Sequence, residues 1–132
     1  MKEMSVYEYA NVCTKMFEAN LGNVGNYRRR TTFYADLSIA EYYGEANVKD
    51  TYNRVMEEWL DNIEYITEFV LCLNWKCWEH HDRDNHGLAV LYHDLYYKAV
   101  DEVMEHYKND QKALLYYYEI TDCHVLKHIR FY

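Results

Sequence analysis

The residues best suited to bind a metal ion surround a short polar segment, DRDNHG, at positions 82–87. Asp82, Asp84 and Gly87 occupy the first, third and sixth positions of an EF-hand calcium loop, but His93 stands where that loop needs a bidentate glutamate. A softer ion such as Zn²⁺ would use imidazole and carboxylate ligands, and these are offered by Glu79, His80, His81, His86 and His93. Because a polar turn between two helices explains the same residues, we predict no metal and no cofactor.

Side chains that could act as nucleophiles lack neighbours that would activate them. The four cysteines, at positions 13, 72, 77 and 123, lie in helical patterns with no evident activating group. The sequence contains no Gly-x-Ser-x-Gly elbow and no Glu-x-x-His pair of the type that binds di-iron centres in helical bundles. We therefore predict no catalytic residues and expect that the protein is not an enzyme.

The elements that position these residues are predicted to be helices. Half of the 132 residues are apolar and 17% are aromatic, which favours a folded domain, while proline is absent and glycine occurs four times. Capping residues and apolar spacing predict an all-α, single-domain bundle of about five helices over residues 1–132, with an ambiguous tail at 123–132. The predicted helices span residues 5–19, 33–43, 47–80, 88–108 and 111–120, with a loop at 20–30.

The predicted helix over residues 47–80 is the longest, because apolar residues alternate in steps of four and three from Tyr52 to Cys77. We expect it to pair antiparallel with the helix over residues 88–108, forming a long helical hairpin. The chain has no signal-peptide-like start and no apolar run of about 18 residues, so we predict a cytoplasmic protein with no membrane contact and with reduced cysteines.

Acidic residues are predicted to form a row on the outward face of that long helix. At about 100° per residue, five carboxylates lie opposite Trp59, namely Asp50, Glu57, Asp61, Glu64 and Glu68. One interpretation is a solvated helix face. The other is a surface that imitates the spaced negative charge of a nucleic-acid backbone and binds a basic groove on another protein.

The stretch EFVLCLNWKCWEHH, at positions 68–81, is apolar on every side of the predicted helix. Past Glu68 the outward face is held by Leu71 and Trp75, with Trp78 on the flank. Other helices of the same chain could cover these side chains, or a second protein molecule could do so. Sixteen tyrosines add weight to the second alternative, because tyrosine is enriched at interfaces.

Arg28, Arg29 and Arg30 form the main basic cluster of an otherwise acidic chain, whose formal net charge is −8. In a glycine-containing loop they could clamp a phosphate or a carboxylate, but the segment lacks the Gly-Lys-Ser/Thr end of a P-loop. A solvated or internally paired loop is the alternative. The negative net charge disfavours direct binding of nucleic acid.

Glu57, Glu58 and Asp61, followed by Glu79 and Asp82, resemble the EExxE and ExxD magnesium motifs of all-helical nucleotide pyrophosphatases of the MazG type. Only these five positions match, and Asp61 stands where that family usually has glutamate. The resemblance implies Mg²⁺-dependent hydrolysis of nucleoside triphosphates by two helices that face each other across the metal. One uninterrupted helix would instead hold the two motifs about 30 Å apart.

The segments TTFYADLSIAEYYG and VKDTYNRVMEEWLDNIEYITEFVLCLNWKCWEH resemble small helical proteins of phages and conjugative elements of gut bacteria, over residues 31–122. That resemblance implies a setting in which short acidic proteins bind host or defence proteins, as anti-CRISPR and anti-restriction inhibitors do. We therefore predict a non-enzymatic protein that binds another macromolecule, with a structural homo-oligomer as a further alternative. The predicted partner-binding residues are Glu57, Asp61, Glu64, Glu68, Trp75, Trp78, Arg28, Arg29 and Arg30.

Overall fold

Five α-helices joined by short turns form the part of the protein that a computed structural model describes, residues 24–121. They are α1 (Val24–Tyr43), α2 (Glu45–Trp59), α3 (Ile63–Asp82), α4 (His86–His106) and α5 (Gln111–Thr121). No strand occurs within these residues, and the helices pack side by side, so the predicted all-α bundle is confirmed. The predicted first helix and the last ten residues lie outside this range.

Helix α3 is the centre of the bundle and contacts each of the other four helices. Every side chain from Ile66 to His80 is buried. A helix that is apolar on all sides must be covered on all sides, and here helices of the same chain contribute that cover. None of the helices between residues 24 and 121 is both long enough and apolar enough to cross a bilayer.

The predicted single helix over residues 47–80 is wrong, because the chain turns at residues 60–62. The Asn62 side chain accepts a hydrogen bond from the Tyr65 backbone N–H at 3.1 Å and so caps the start of α3. The Tyr107 hydroxyl donates to the carbonyl of Leu60, one of the groups left without a helical partner. Apolar spacing did not reveal the turn, since the residues on both sides of it face one core.

Helix α1 begins at Val24, so the predicted loop over residues 20–30 is also wrong from that residue onward. The Thr32 hydroxyl donates to the backbone carbonyl of Arg28 at 3.0 Å and lies inside the helix rather than at its start. Arg28, Arg29 and Arg30 consequently lie on successive positions of a helix, from which they point in different directions.

Gly44 separates α1 from α2 and has a φ of +123°, in the region that only glycine adopts at low cost. Its backbone N–H donates to the carbonyls of Ala40 and Glu41, at 3.1 and 3.2 Å, and so closes the end of α1. The chain therefore reverses sharply directly after Tyr42 and Tyr43.

The antiparallel hairpin itself is confirmed, with α3 and α4 as its two arms and residues 83–85 as its turn. Helix α4 starts at His86, within two residues of the predicted start. Here the polar run between two apolar patterns predicted the turn correctly.

Candidate interaction surfaces and a buried ionic cluster

Four of the predicted partner-binding residues are buried and cannot form a surface. Glu68 is 0% exposed, Arg30 is 2% exposed, and Trp75 and Trp78 are 4% and 6% exposed. The placement of Glu68 on an outward acidic face is therefore wrong. Two alternatives were open for Trp75 and Trp78, and the structure supports burial by other helices of the same chain, since α3 is enclosed by the bundle.

Arg30 and Glu68 face each other inside the bundle. The Arg30 Nε lies 3.7 Å from Glu68 Oε1, and the guanidinium carbon lies 4.9 Å from the centre of the Trp75 ring. Burial raises the pKa of Glu68 to about 8, although the charge of Arg30 opposes that shift. The pair belongs to the interior, where its ionisation affects stability.

The three arginines do not converge on one site. Arg30 points into the bundle, Arg28 is exposed, and Arg29 lies over aromatic rings. The Arg29 guanidinium carbon is 4.6 Å from the centre of the Trp59 ring and 4.9 Å from that of Tyr65, on either side of the α2–α3 turn. The predicted phosphate or carboxylate clamp is therefore not formed by these three side chains.

The remaining acids predicted to bind a partner lie around the α2–α3 turn, and we call them the junction acids: Glu57, Asp61 and Glu64. All three are exposed, and they lie on both sides of the turn that joins α2 to α3. Asp61 pairs with His106 at 2.8 Å yet has a side chain that is 93% exposed. Within residues 28–121, neither Glu57 nor Glu64 makes an ion pair.

A buried ionic cluster lies near the other end of α3. The Lys76 ammonium sits 3.0 Å from Glu41 Oε2 and 3.0 Å from Glu79 Oε2, and it also lies 4.2 Å from the centre of the Tyr34 ring. The Tyr34 hydroxyl donates to Glu79 Oε1 at 2.7 Å. Burial, followed by that contact with Glu79, raises the pKa of Tyr34. One buried cation thus compensates two carboxylates from different helices.

His80 completes this cluster. The Asn85 side-chain amide donates to His80 Nδ1 at 3.2 Å, so His80 Nε2 carries the hydrogen that is donated to Glu41 Oε1. The imidazole stacks on the Tyr92 ring with an interplanar angle of 1°. Burial alone would raise the pKa of Glu41, but the His80 hydrogen bond and the charge of Lys76 hold it below its usual value.

Glu41, Glu79 and His80 are the one group among the described residues whose side chains lie close enough together to hold a metal ion. Lys76 already places a positive charge 3.0 Å from both carboxylates, so a divalent ion there would lie beside a buried ammonium group. This arrangement fits an internal ion pair better than a metal centre. That no metal binds remains a prediction.

The sequence did not point to Glu41, which lies 39 residues before His80 and on another helix. Of the other histidines near the turn, His81 and His93 lie beside Asp82 and Asp94, at 3.7 and 3.4 Å. His86 is exposed. These three histidines therefore do not join Glu79 and His80 to form the Zn²⁺ site that was considered as an alternative.

The pyrophosphatase-like acids are likewise not brought together in the manner that the resemblance implies. The turn at residues 60–62 removes the objection that both motifs lie on one helix. However, the carboxylate beside Glu79 is that of Glu41, from α1, whereas Glu57 and Glu58 are exposed on α2. Glu79 is also engaged by Tyr34, Lys76 and Arg83.

A second exposed surface was not predicted from the sequence. Ile39, Tyr42 and Tyr43, which we call the aromatic patch, are 60%, 85% and 70% exposed at the end of α1. The two tyrosine rings meet edge to face with their centres 5.2 Å apart. Beside them is a groove of about 390 Å³ between α1 and α2, lined by Asp36, Ile39, Ala40, Tyr43, Asn47, Asp50, Thr51 and Arg54.

Comparison with known proteins gives no match: no family model fits the chain, and no curated protein and no solved structure is significantly similar to it. The resemblance to phage and mobile-element proteins therefore stays a prediction. Among the described residues, the two exposed surfaces are the features that bear on function.

Proposed function

We propose that the protein acts without catalysis, by binding a positively charged surface of another protein. The observation that carries this proposal is the exposure of the junction acids, which form a negative surface on a chain of net charge −8. Glu58, next to Glu57, is exposed too and adds a fourth carboxylate to the same region. One nearby cation, Arg29, is held against the rings of Trp59 and Tyr65.

The turn that carries the junction acids is fixed by several contacts. The Asn62 cap sets the start of α3, the Tyr107 hydroxyl binds the Leu60 carbonyl, and Arg29 bridges the rings on both sides. Trp59 and Tyr65 also meet edge to face, with ring centres 5.3 Å apart. A surface that is rigid before binding loses little conformational entropy when a partner docks.

The class of partner follows from charge complementarity. Proteins that bind nucleic acid present grooves lined with Lys and Arg, in which spaced carboxylates can replace phosphates. The proposed role is therefore that of an inhibitor that occupies such a groove in a nucleic-acid-binding host or defence protein. This role places the protein in the cytoplasm with its partner.

The test begins with affinity capture from cells that naturally carry the protein and identification of the partner by mass spectrometry. Binding of the purified partner is then measured for the wild type and for the variant Glu57→Gln/Asp61→Asn/Glu64→Gln at low and moderate salt. We expect affinity to fall by about tenfold and its salt dependence to weaken, because exposed charges act through screened attraction.

A matched control carries the same change of net charge on other exposed acids: Asp94→Asn/Asp101→Asn/Glu119→Gln. It should retain most of the affinity. If both variants bind the partner with the affinity and salt dependence of the wild type, the proposal is contradicted. The junction acids would then be an ordinary solvated surface without a role in binding.

A further inference from the structure

The aromatic patch and the groove beside it carry an inference that rests on the proposed function and deepens it. We infer that this groove binds a segment of the partner protein in which an apolar anchor residue is flanked by Lys or Arg. The junction acids would then steer the partner, while the groove supplies the contact that holds it.

The exposure of the aromatic patch is the first reason. On the same helix, Phe33 and Leu37 are 2% and 0% exposed, so α1 has a complete inward face without the patch residues. The turn at Gly44 brings α2 back against α1 and leaves Tyr42 and Tyr43 on the outside. Exposed tyrosines that touch each other supply large contact area at low entropic cost and are frequent anchors of protein interfaces.

The groove has the size and the lining of a side-chain pocket. Its volume of about 390 Å³ lies at the lower end of the range for binding pockets, and Ile39 and Ala40 give it an apolar part. Polar side chains of α2, such as Asn47 and Thr51, lie on the facing wall and can bind a backbone. These features suit one apolar side chain of an extended or helical segment.

The charge of the groove favours a basic segment of the partner protein. Among the described residues that line the groove, Asp36 on α1 and Asp50 on α2 contribute one carboxylate to each wall, and Arg54 contributes one positive charge. Asp50 and Glu57 are seven residues apart on α2, so they lie within about 20° of each other around the helix and connect the groove to the junction acids. The exposed tyrosine rings also attract Lys and Arg through their faces.

A second copy of this chain is disfavoured as the occupant. Each copy carries a formal net charge of −8, so two copies repel each other at moderate ionic strength. A cationic segment instead gains from the same field. The occupant is therefore assigned to a different protein rather than to a homodimer.

The experiment uses the full chain as bait for a displayed library of random peptides, and the enriched peptides are then synthesised. We expect them to combine an aromatic or aliphatic residue with Lys or Arg. Binding measured by fluorescence anisotropy should be at least about tenfold weaker for Ile39→Ser/Tyr42→Ser than for the wild type, because Ile39 lines the groove, Tyr42 lies in the exposed patch beside it, and a few such anchor contacts dominate affinity.

The matched control is Leu115→Ser/Tyr118→Ser, which removes two exposed apolar side chains from α5. Circular dichroism shows whether both variants fold. Failure to enrich any peptide, enrichment of acidic peptides, or equal loss of binding in both variants would overturn the inference. A concentration-dependent dimer in sedimentation equilibrium that Ile39→Ser/Tyr42→Ser abolishes would overturn the choice of occupant.

The same peptides separate this inference from the proposed function. Suppose that peptide binding depends on Ile39 and Tyr42 but is unaffected by neutralising the junction acids. This result would support the groove as a binding site and would count against the junction acids as a docking surface. Partner binding that depends on the junction acids but is unaffected by Ile39→Ser/Tyr42→Ser would uphold the proposed function and refute the groove.

Discussion

Carboxylates near the two ends of α3 differ in their exposure to solvent. At its start, the junction acids are exposed and, except for the pair of Asp61 with His106, make no ion pair with the described residues. Near its end, Glu79 is buried against Lys76 and Tyr34, and Glu41 of α1 joins them. The difference shows that carboxylates near the two ends of one helix divide into two classes, because tertiary packing decides which of them are desolvated.

The largest effect is expected from Lys76→Met, which removes the buried cation between Glu79 and the partly buried Glu41 and leaves the more exposed Arg83 3.6 Å from Glu79. Removing one partner of a buried ion pair typically costs about 3–5 kcal/mol of unfolding free energy. Urea unfolding measures the loss, with the exposed Lys49→Met as the control. A loss as small as that of the control would show that the cluster is not a desolvated ion pair.

A pH-dependent effect is expected from Glu68→Gln. The pKa of Glu68 is about 8 in the folded state, against 4.5 for the ordinary side chain, so only the unfolded chain releases this proton between those values. Glu68 therefore lowers the stability of the wild type as pH rises from 4.5 to 8, by about 1.4 kcal/mol for each unit of the difference in pKa.

Denaturant unfolding at pH 5 and at pH 8 tests this prediction. Glu68→Gln should become more stable relative to the wild type at the higher pH, whereas the exposed control Glu64→Gln should show no such trend. An equal difference between Glu68→Gln and the wild type at both pH values would mean that Glu68 ionises normally in the bundle.

A smaller effect is expected at the turn that presents the junction acids. Asn62→Ala removes the side-chain acceptor for the Tyr65 N–H, and loss of such a cap costs about 1 kcal/mol. Thermal unfolding is the measurement, and Asn53→Ala, at an exposed position inside α2, is the matched control. If Asn62→Ala is as stable as the control, the cap does not hold the turn.

The smallest effect on stability is expected from neutralising the junction acids. Glu57→Gln/Asp61→Asn/Glu64→Gln should change the unfolding free energy by only about 0.5 kcal/mol, because exposed substitutions without buried partners are usually that mild. The same denaturant titration as for Lys76→Met provides the comparison. A loss of several kcal/mol would place these acids in the class of the buried cluster and would remove the contrast between the two ends of α3.

Sequence patterns located the α3–α4 hairpin because the polar run at residues 82–87 interrupts the apolar spacing. They missed the turn at residues 60–62, since Asn62 caps a helix without disturbing that spacing. They also placed Glu68 on the outer face of the bundle, where it does not lie. Helical periodicity gives the direction of a side chain around its own helix, but it does not specify how many other helices surround that helix.

For the candidate surfaces, the sequence identified Glu57, Asp61 and Glu64 but not Ile39, Tyr42 and Tyr43. The sequence did contain a pattern that points to the second surface. Tyr42 and Tyr43 are adjacent and directly precede Gly44, and the inward side of α1 is too narrow to bury both rings. Whether such residues are covered depends on where α2 runs after the turn, which local sequence does not specify.

By itself, the sequence determined that this protein is helical, that residues 68–81 are apolar on every side of a helix, and that its charge is negative, because these follow from composition and short-range spacing. Only the tertiary structure decided which charges are buried. Lys76 meets Glu41 across 35 residues, and Arg30 meets Glu68 from another helix. Such pairs form when packing removes both partners from water, and the free energy of that step depends on every helix around them.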